Sequence, residues 1–420
     1  MWVSGKYIVI MSVAAMLALI RGFVVAGILD VASFGLYATI LATGMFLSAL
    51  VSFGEIERTI KSFPRLWMVE HHRRSVIDQA DKSAFVMLFR AGGLLLLLLT
   101  CGFFDAIRYF AEMGIFVVLI ALNVALSSLY ASAIRATTEI ELLARNTLLR
   151  ALIVIVFGLS GAYFFGWQGA IVGEVSATIL GTLITRHSVI QKTKIFIQDK
   201  NIACESDTGS IPSDNGLWLF AAGLLASAPV YLDRAFVASV LGPAMVGTFG
   251  FLMLFVTSAN TLTGIVVQKI GPQLIKMQHF GDSINTQIKF AIRWLILIWV
   301  MCVAGIALVS LSLFFEPARY FFDKFQLDFN LISAAAVMSL LQVGVVFDFI
   351  LISRSQERAI FFGACLYFVI AGIAALLVFW LKLSLVNFIW LLAIAKVFHI
   401  TAQAGFIGRV WYGRKRQLEN

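Results

Sequence analysis

The chain has 420 residues, of which 60% are hydrophobic and 13% charged, whereas a soluble domain carries about 25% charged residues. A chain so poor in charge, with apolar runs long enough to cross a bilayer many times, has lipid as its main solvent, and its length counts helices and not soluble domains. The formal net charge of +9 does not point to nucleic acid, because the basic residues are spread over short connections between apolar runs, where they report topology.

Residues 1 to 6 are too short a flank to suggest a cleaved leader, and the run from Tyr7 to Leu29 is of full spanning length, so the first helix is expected to be retained. Spans are expected at roughly 7 to 29, 32 to 54, 84 to 104, 113 to 134, 149 to 167 and 169 to 185 in the first half. In the second half they fall at roughly 217 to 241, 245 to 267, 291 to 315, 331 to 353, 359 to 381 and 385 to 407. With the N-terminus inside, 24 Lys or Arg fall on inside connections and tails, counting Arg150 and Arg293 at the inner ends of their spans, four on outside loops (Arg108, Arg319, Lys324 and Lys382) and four deeper within spans. The positive-inside rule then makes both termini cytoplasmic.

The stretch "RLWMVEHHRRSVIDQADK" after span 2 mixes basic and apolar residues as an interfacial helix or a solvated loop does. At the midpoint, "CESDTGSIPSDNG" has the composition of a linker. The expected organisation is a six-helix bundle over 1–185, a cytoplasmic linker over 186–216 and a second bundle over 217–420 with a basic cytoplasmic tail. Cys101, Cys302 and Cys365 lie in apolar runs and Cys204 lies in the linker, so neither a disulfide framework nor a metal-binding spacing is indicated. No cofactor is expected.

The first outside turn, "LDVASFGLY" at Leu29 to Tyr37, is echoed by "LGPAMVGTF" at Leu241 to Phe249. Leu29, Ala32 and Gly35 recur as Leu241, Ala244 and Gly247, at a constant offset of 212 residues, half the chain. Six spans separate the copies, so the halves are parallel repeats related by an axis along the membrane normal, a standard transporter plan with the site near mid-membrane. The fold class is thus an all-α polytopic membrane protein of about twelve transmembrane helices in two pseudo-two-fold-related six-helix bundles.

These turns, the preceding helix "ASAPVYLDRAFVASVLG" and the segment "IGPQLIK" resemble the polysaccharide transporter branch of the multidrug/oligosaccharidyl-lipid/polysaccharide (MOP) exporter superfamily, and most closely bacterial O-antigen flippases. Asp30 and Val31 stand where the family pattern commonly has Gly and Pro. The resemblance implies a MATE-like fold and an inner-membrane flippase for an undecaprenyl-pyrophosphate-linked oligosaccharide. Its implied partners are that polyprenyl pyrophosphate, membrane lipids and other polysaccharide-assembly membrane proteins, with no nucleic acid.

Ionisable residues within spans are costly and mark candidate sites. Arg21 and Asp233 lie at matching depth, roughly 21 and 24 Å from the inner ends of their spans, and are separated by the repeat offset, which suggests a contact across a cavity. Arg21, Arg90 and Lys396 form a cationic series through the membrane that suits a pyrophosphate, and Asp233 and Arg234 join them as substrate-binding candidates. Glu174 and His399 are candidates for ion coupling, His399 sharing a helix face with Lys396 three residues earlier. Asp348 is expected near an inner interface, without a central role.

A drug or metabolite antiporter of the same superfamily would favour an acidic cavity, while the in-span balance here leans cationic by one charge. A major-facilitator porter fails on the loop after span 2, which reads "GEIERTIKSFPRL". A membrane enzyme lacks an acid or metal constellation, and no P-loop or nucleophile elbow appears. Transport by alternating access, driven by an ion gradient or the membrane potential, is the expected function.

Overall fold

A computed structural model describes residues 3–68, 73–101, 108–136, 140–198, 217–279, 283–312, 316–354 and 356–419. The helices are α1 Val3–Ile28, α2 Val31–Ser52, α3 Glu55–Met68, α4 Arg73–Cys101, α5 Arg108–Ala136, α6 Ile140–Gln198, α7 Leu217–Tyr231 and α8 Asp233–Leu241. They continue with α9 Pro243–His279, α10 Ile284–Ser312, α11 Glu316–Lys324, α12 Phe329–Leu341, α13 Val345–Ser353, α14 Glu357–Leu381 and α15 Leu385–Glu419. Helix is what a chain in hydrocarbon must form, since each peptide group has to find its hydrogen-bond partner within the segment. Among the described residues there is no strand.

Among the described residues, eleven segments are long and apolar enough to cross a membrane. One of them, within α6, is a hairpin. A straight helix of 59 residues would run to about 90 Å, three times the hydrocarbon thickness. The chain turns back at Gly166, whose φ of 63° and ψ of −149° are open in practice only to glycine. The arms then meet backbone to backbone. A Cβ on Gly161 would strike the Gly169 carbonyl, and one on Gly173 the Phe157 carbonyl. The hairpin supplies two arms of spanning length, so the described residues hold twelve span-length segments, the number that the hydropathy predicts.

Two other spans are broken midway. Pro229 lies near the end of α7, and Leu232 interrupts the helix before α8, because proline removes a backbone donor and crowds the preceding turn. Between α12 and α13 a 3-10 turn covers Gln342–Gly344. Asp233 and Asp348 each fall in the first turn of the helix that resumes, where the peptide dipoles favour a negative group. Asp30 serves α2 in the same way: its Oδ1 accepts from the Ser33 N–H at 2.9 Å, as an N-cap does. The departure from the Gly-Pro pattern thus has a local structural role.

Element ends differ from expectation in three places. α4 begins at Arg73, well before residue 84, and the amphipathic α3 occupies 55–68. α6 stays helical to Gln198, so the first part of the expected linker is helix, and its turn-rich part, 199–216, lies outside the described residues. The expected outside loop at 315–330 contains α11.

The chain divides into two compact units, one of residues 1–21 and 40–220 and the other of 22–39 and 221–420. In the first, Val51, Met87, Ala91, Val118 and Leu129 join α2, α4 and α5, and Phe63 pins α3 among Val76, Tyr130, Leu143 and Val189. In the second, Phe249, Met338, Tyr367 and Phe388 are central to a core drawn from α9, α12, α14 and α15. The C-terminal end of α1 and the start of α2 belong to this second unit, because Phe23 packs against Phe251, Phe255 and Phe321 and Phe34 against Phe325.

Candidate functional site

The first unit holds a buried cluster of charge. The guanidinium of Arg21 on α1 meets Glu174 on the second arm of α6, with Nη1 3.1 Å from Oε2. Glu174 fits there because it faces Gly158 on the opposite arm. Arg150, on the first arm, donates to the Ser127 hydroxyl on α5 and lies close enough to Arg21 to feel its charge. Its aliphatic stem runs against Gly181. Among the described residues Arg150 makes no ion pair.

Arg150 stands apart from the sequence candidates. A span starting at residue 149 would leave it at the interface, but α6 starts at Ile140, which places Arg150 roughly 15 Å along the helix. Arg90 is held differently from the expected substrate series. It donates to the Ser52 carbonyl at 3.0 Å, lies 3.9 Å from Glu55 and sits over the Phe53 ring. It thereby closes the C-terminal end of α2, where Phe53 and Gly54 take positive φ. Arg186, Asp81 and Tyr130 form a further polar knot that ties α4, α5 and α6 together.

The second unit has its own polar interior. Asp233 and Arg234, both buried, pair with each other at 3.2 Å, and Arg234 also donates to the Val230 carbonyl at the helix break. Arg21 with Glu174 in the first unit and Asp233 with Arg234 in the second are thus pairs formed each within one unit.

On α15, Lys396 and His399 share a face, and both meet Tyr367 of α14. The ammonium lies 5.1 Å from the ring centroid and the imidazole stacks at 5.3 Å. One turn on, Gln403 contacts the His399 Nε2 at 2.9 Å and donates to Asp348, whose charge also acts on Lys396. Asp348 thus belongs to a polar chain through α13, α14 and α15 and not to an interface. His399 Nδ1 and Gln403 Oε1 are buried without a hydrogen-bond partner. Of the earlier candidates, Lys396 and His399 are brought together here, Asp233 and Arg234 pair locally, and Arg21 and Glu174 lie in the first unit. Among the described residues no cluster of three His, Cys, Asp or Glu side chains could hold a metal ion.

No protein-family model matches the chain, and no curated protein matches it. Solved structures do. A MATE family multidrug resistance transporter of the MOP superfamily in an inward-facing conformation aligns over 96% of both chains, with a TM-score of 0.61 at 15% identity. A MATE protein in a bent conformation aligns over 99% of this chain and 95% of its own, with a TM-score of 0.61 at 13% identity. An outward-facing multidrug resistance MATE transporter aligns over 98% and 96%, with a TM-score of 0.58 at 13% identity. With its helices, its spans and its length matched almost end to end, this multi-pass membrane protein has the fold of the MATE transporters of the MOP superfamily.

Proposed function

We propose that the protein is a transporter that moves a polyprenyl-pyrophosphate-linked oligosaccharide across the bacterial inner membrane, its two termini in the cytoplasm. The observation that supports this is Arg150, a guanidinium deep in a spanning helix, beside Arg21, with no carboxylate of its own among the described residues. A half-buried cation within a span and without an ion pair is expensive. A diphosphate can take the place of the missing counter-ion, and arginine binds it through paired, charge-assisted hydrogen bonds. Lys396, Asp233 and Arg234 are further residues for head-group contact, and Glu174 and His399 for coupling to an ion gradient. Arg90 is better assigned to closing α2. Alternating access comes to this chain from its structural neighbours, among them one inward-facing and one outward-facing multidrug resistance transporter.

Those same neighbours support a second reading, export of an organic cation against an incoming ion, and the buried Asp233 and half-buried Asp348 fit it. Vesicles carrying the purified protein separate the two. The lipid-linked reading expects a fluorescent polyprenyl-pyrophosphate sugar to change leaflets with wild type, and expects Arg150→Ala and Arg21→Ala to slow this more than tenfold. Organic-cation uptake without sugar-lipid movement would establish the antiporter instead.

A further inference from the structure

The short helix α11 ends in Lys324, and the ammonium of that residue is wholly committed to α1. Its Nζ donates to the carbonyls of Ala26 at 2.8 Å, Gly27 at 2.9 Å and Leu29 at 2.7 Å. An ammonium has three donors, and all three go to carbonyls that the end of α1 leaves without intrahelical partners. The negative end of the helix dipole favours the cation further.

Around this contact the aromatic rings close up. Phe251 stacks on Phe325 at 4.5 Å and on Phe321 at 5.8 Å, Phe23 meets Phe251 and Phe321 edge-on, and Phe34 meets Phe325 edge-on. Thr248 on α9 donates to the Phe325 carbonyl at 3.0 Å, which holds the end of α11 in place. The two repeated turns also meet here, since a Cβ on Gly247 would strike the Val31 carbonyl. All of these residues belong to the second unit, and the charge count assigns this end of α1 to the outside.

We infer that Lys324 is a releasable latch on the C-terminal end of α1: with its ammonium on the three carbonyls the phenylalanine cluster holds the turn between α1 and α2 closed, and withdrawal of the ammonium is the step that frees this turn to open to the outside. The inference rests on the transport reading, because only a protein that opens in turn to each side needs such a release. Three properties suit the role. The bonds are polar and exchangeable for water, so they break without leaving a buried carboxylate behind. The donor sits on a separate nine-residue helix and not within a long span. The carbonyls lie on the same helix as Arg21, roughly 8 Å along it from Ala26, so a ligand drawn to Arg21 acts on the helix that the latch holds.

The test needs no substrate. In full-length protein freed of its native cysteines, Leu29→Cys places a thiol at the sealed turn, where Leu29 is buried. Its labelling by a membrane-impermeant maleimide in vesicles reports opening. Replacing Lys324 by Met, which fills the space without donating, should speed labelling about tenfold or more, the factor expected when charged hydrogen bonds to one element are lost. Lys324→Arg should restore slow labelling. Where Lys324→Met does not accumulate, Lys324→Gln is read by the same criterion. Labelling that stays slow when the ammonium is gone overturns the latch, and because no transported molecule enters the measurement, that outcome leaves the choice of substrate untouched. Conversely, fast labelling in the Met variant of a protein that moves no sugar-lipid keeps the latch and discards the substrate.

Discussion

At the scale of single residues, the decisive feature is how buried charge is paired. Breaking a buried pair by removing one partner costs more than the pair contributes, because the survivor stays charged in a poor solvent. Glu174→Gln removes a carboxylate from Arg21, and a loss of about 1–3 kcal/mol is expected, seen as a lower unfolding midpoint in detergent. Arg150→Met should leave stability unchanged or raise it, since no acid is abandoned, while reducing transport. A double variant, Arg150→Met with Glu174→Gln, should show effects that do not add, because the two sites share Arg21. At the outer turn the carboxyl of Asp30 is held below its ordinary value chiefly by the hydrogen bond with Ser33. A depressed folded pKa means the cap stabilises fully above the ordinary aspartate range and is lost as pH falls through the lowered value. Acid, not base, should therefore loosen the start of α2, and Asp30→Ala, worth about 1 kcal/mol as a lost cap, should abolish that acid sensitivity in pH-dependent melts. Charges well inside the expected apolar runs are legible from sequence, because they stand out there, whereas Arg150, at the expected edge of its span, is not. The partners are not legible either, since sequence spacing gives no sign that Glu174 on α6 lies within reach of Arg21.

Elements were easier to read where hydropathy alone decides them. Apolar runs of spanning length have only helix available to them in lipid, so twelve crossings follow from composition. The α6 hairpin shows the limit. Glycines at 158, 161, 166, 169 and 173 give no sign in hydropathy of which one turns the chain and which let the arms touch. Gly166 is the turn, and its φ and ψ cost about 1–3 kcal/mol for a residue with a side chain. Gly166→Ala should lower folded yield, while Gly161→Leu, which drives a side chain into the opposite arm, should lower it further; both are measured by size-exclusion chromatography of protein extracted in mild detergent. Amphipathic segments are less legible than spans. The basic stretch after span 2 suggested an interfacial element in the right region, but α3 begins earlier, at Glu55, because Phe63 has to reach the core with Val76 and Tyr130. α11 was hidden in an expected outside loop whose two cations, Arg319 and Lys324, counted only towards topology.

At the scale of the whole molecule, the repeated turns at Leu29 and Leu241 carried the architecture, and the match to MATE folds over nearly the full length agrees with two helical lobes. Identity of 13–15% with those neighbours carries the fold and not the substrate, so the choice between a lipid-linked anion and an organic cation falls to the charges in the interior. Arg150, which makes no ion pair among the described residues, is what supports the proposed anion. The most direct measurement is equilibrium binding of a short-chain polyprenyl pyrophosphate to the purified full-length protein, with an organic cation as the competing ligand. The anion should bind wild type and bind Arg150→Ala at least about tenfold more weakly, a loss near 1.4 kcal/mol. Equal affinity for both proteins, or binding of the organic cation alone, would contradict it.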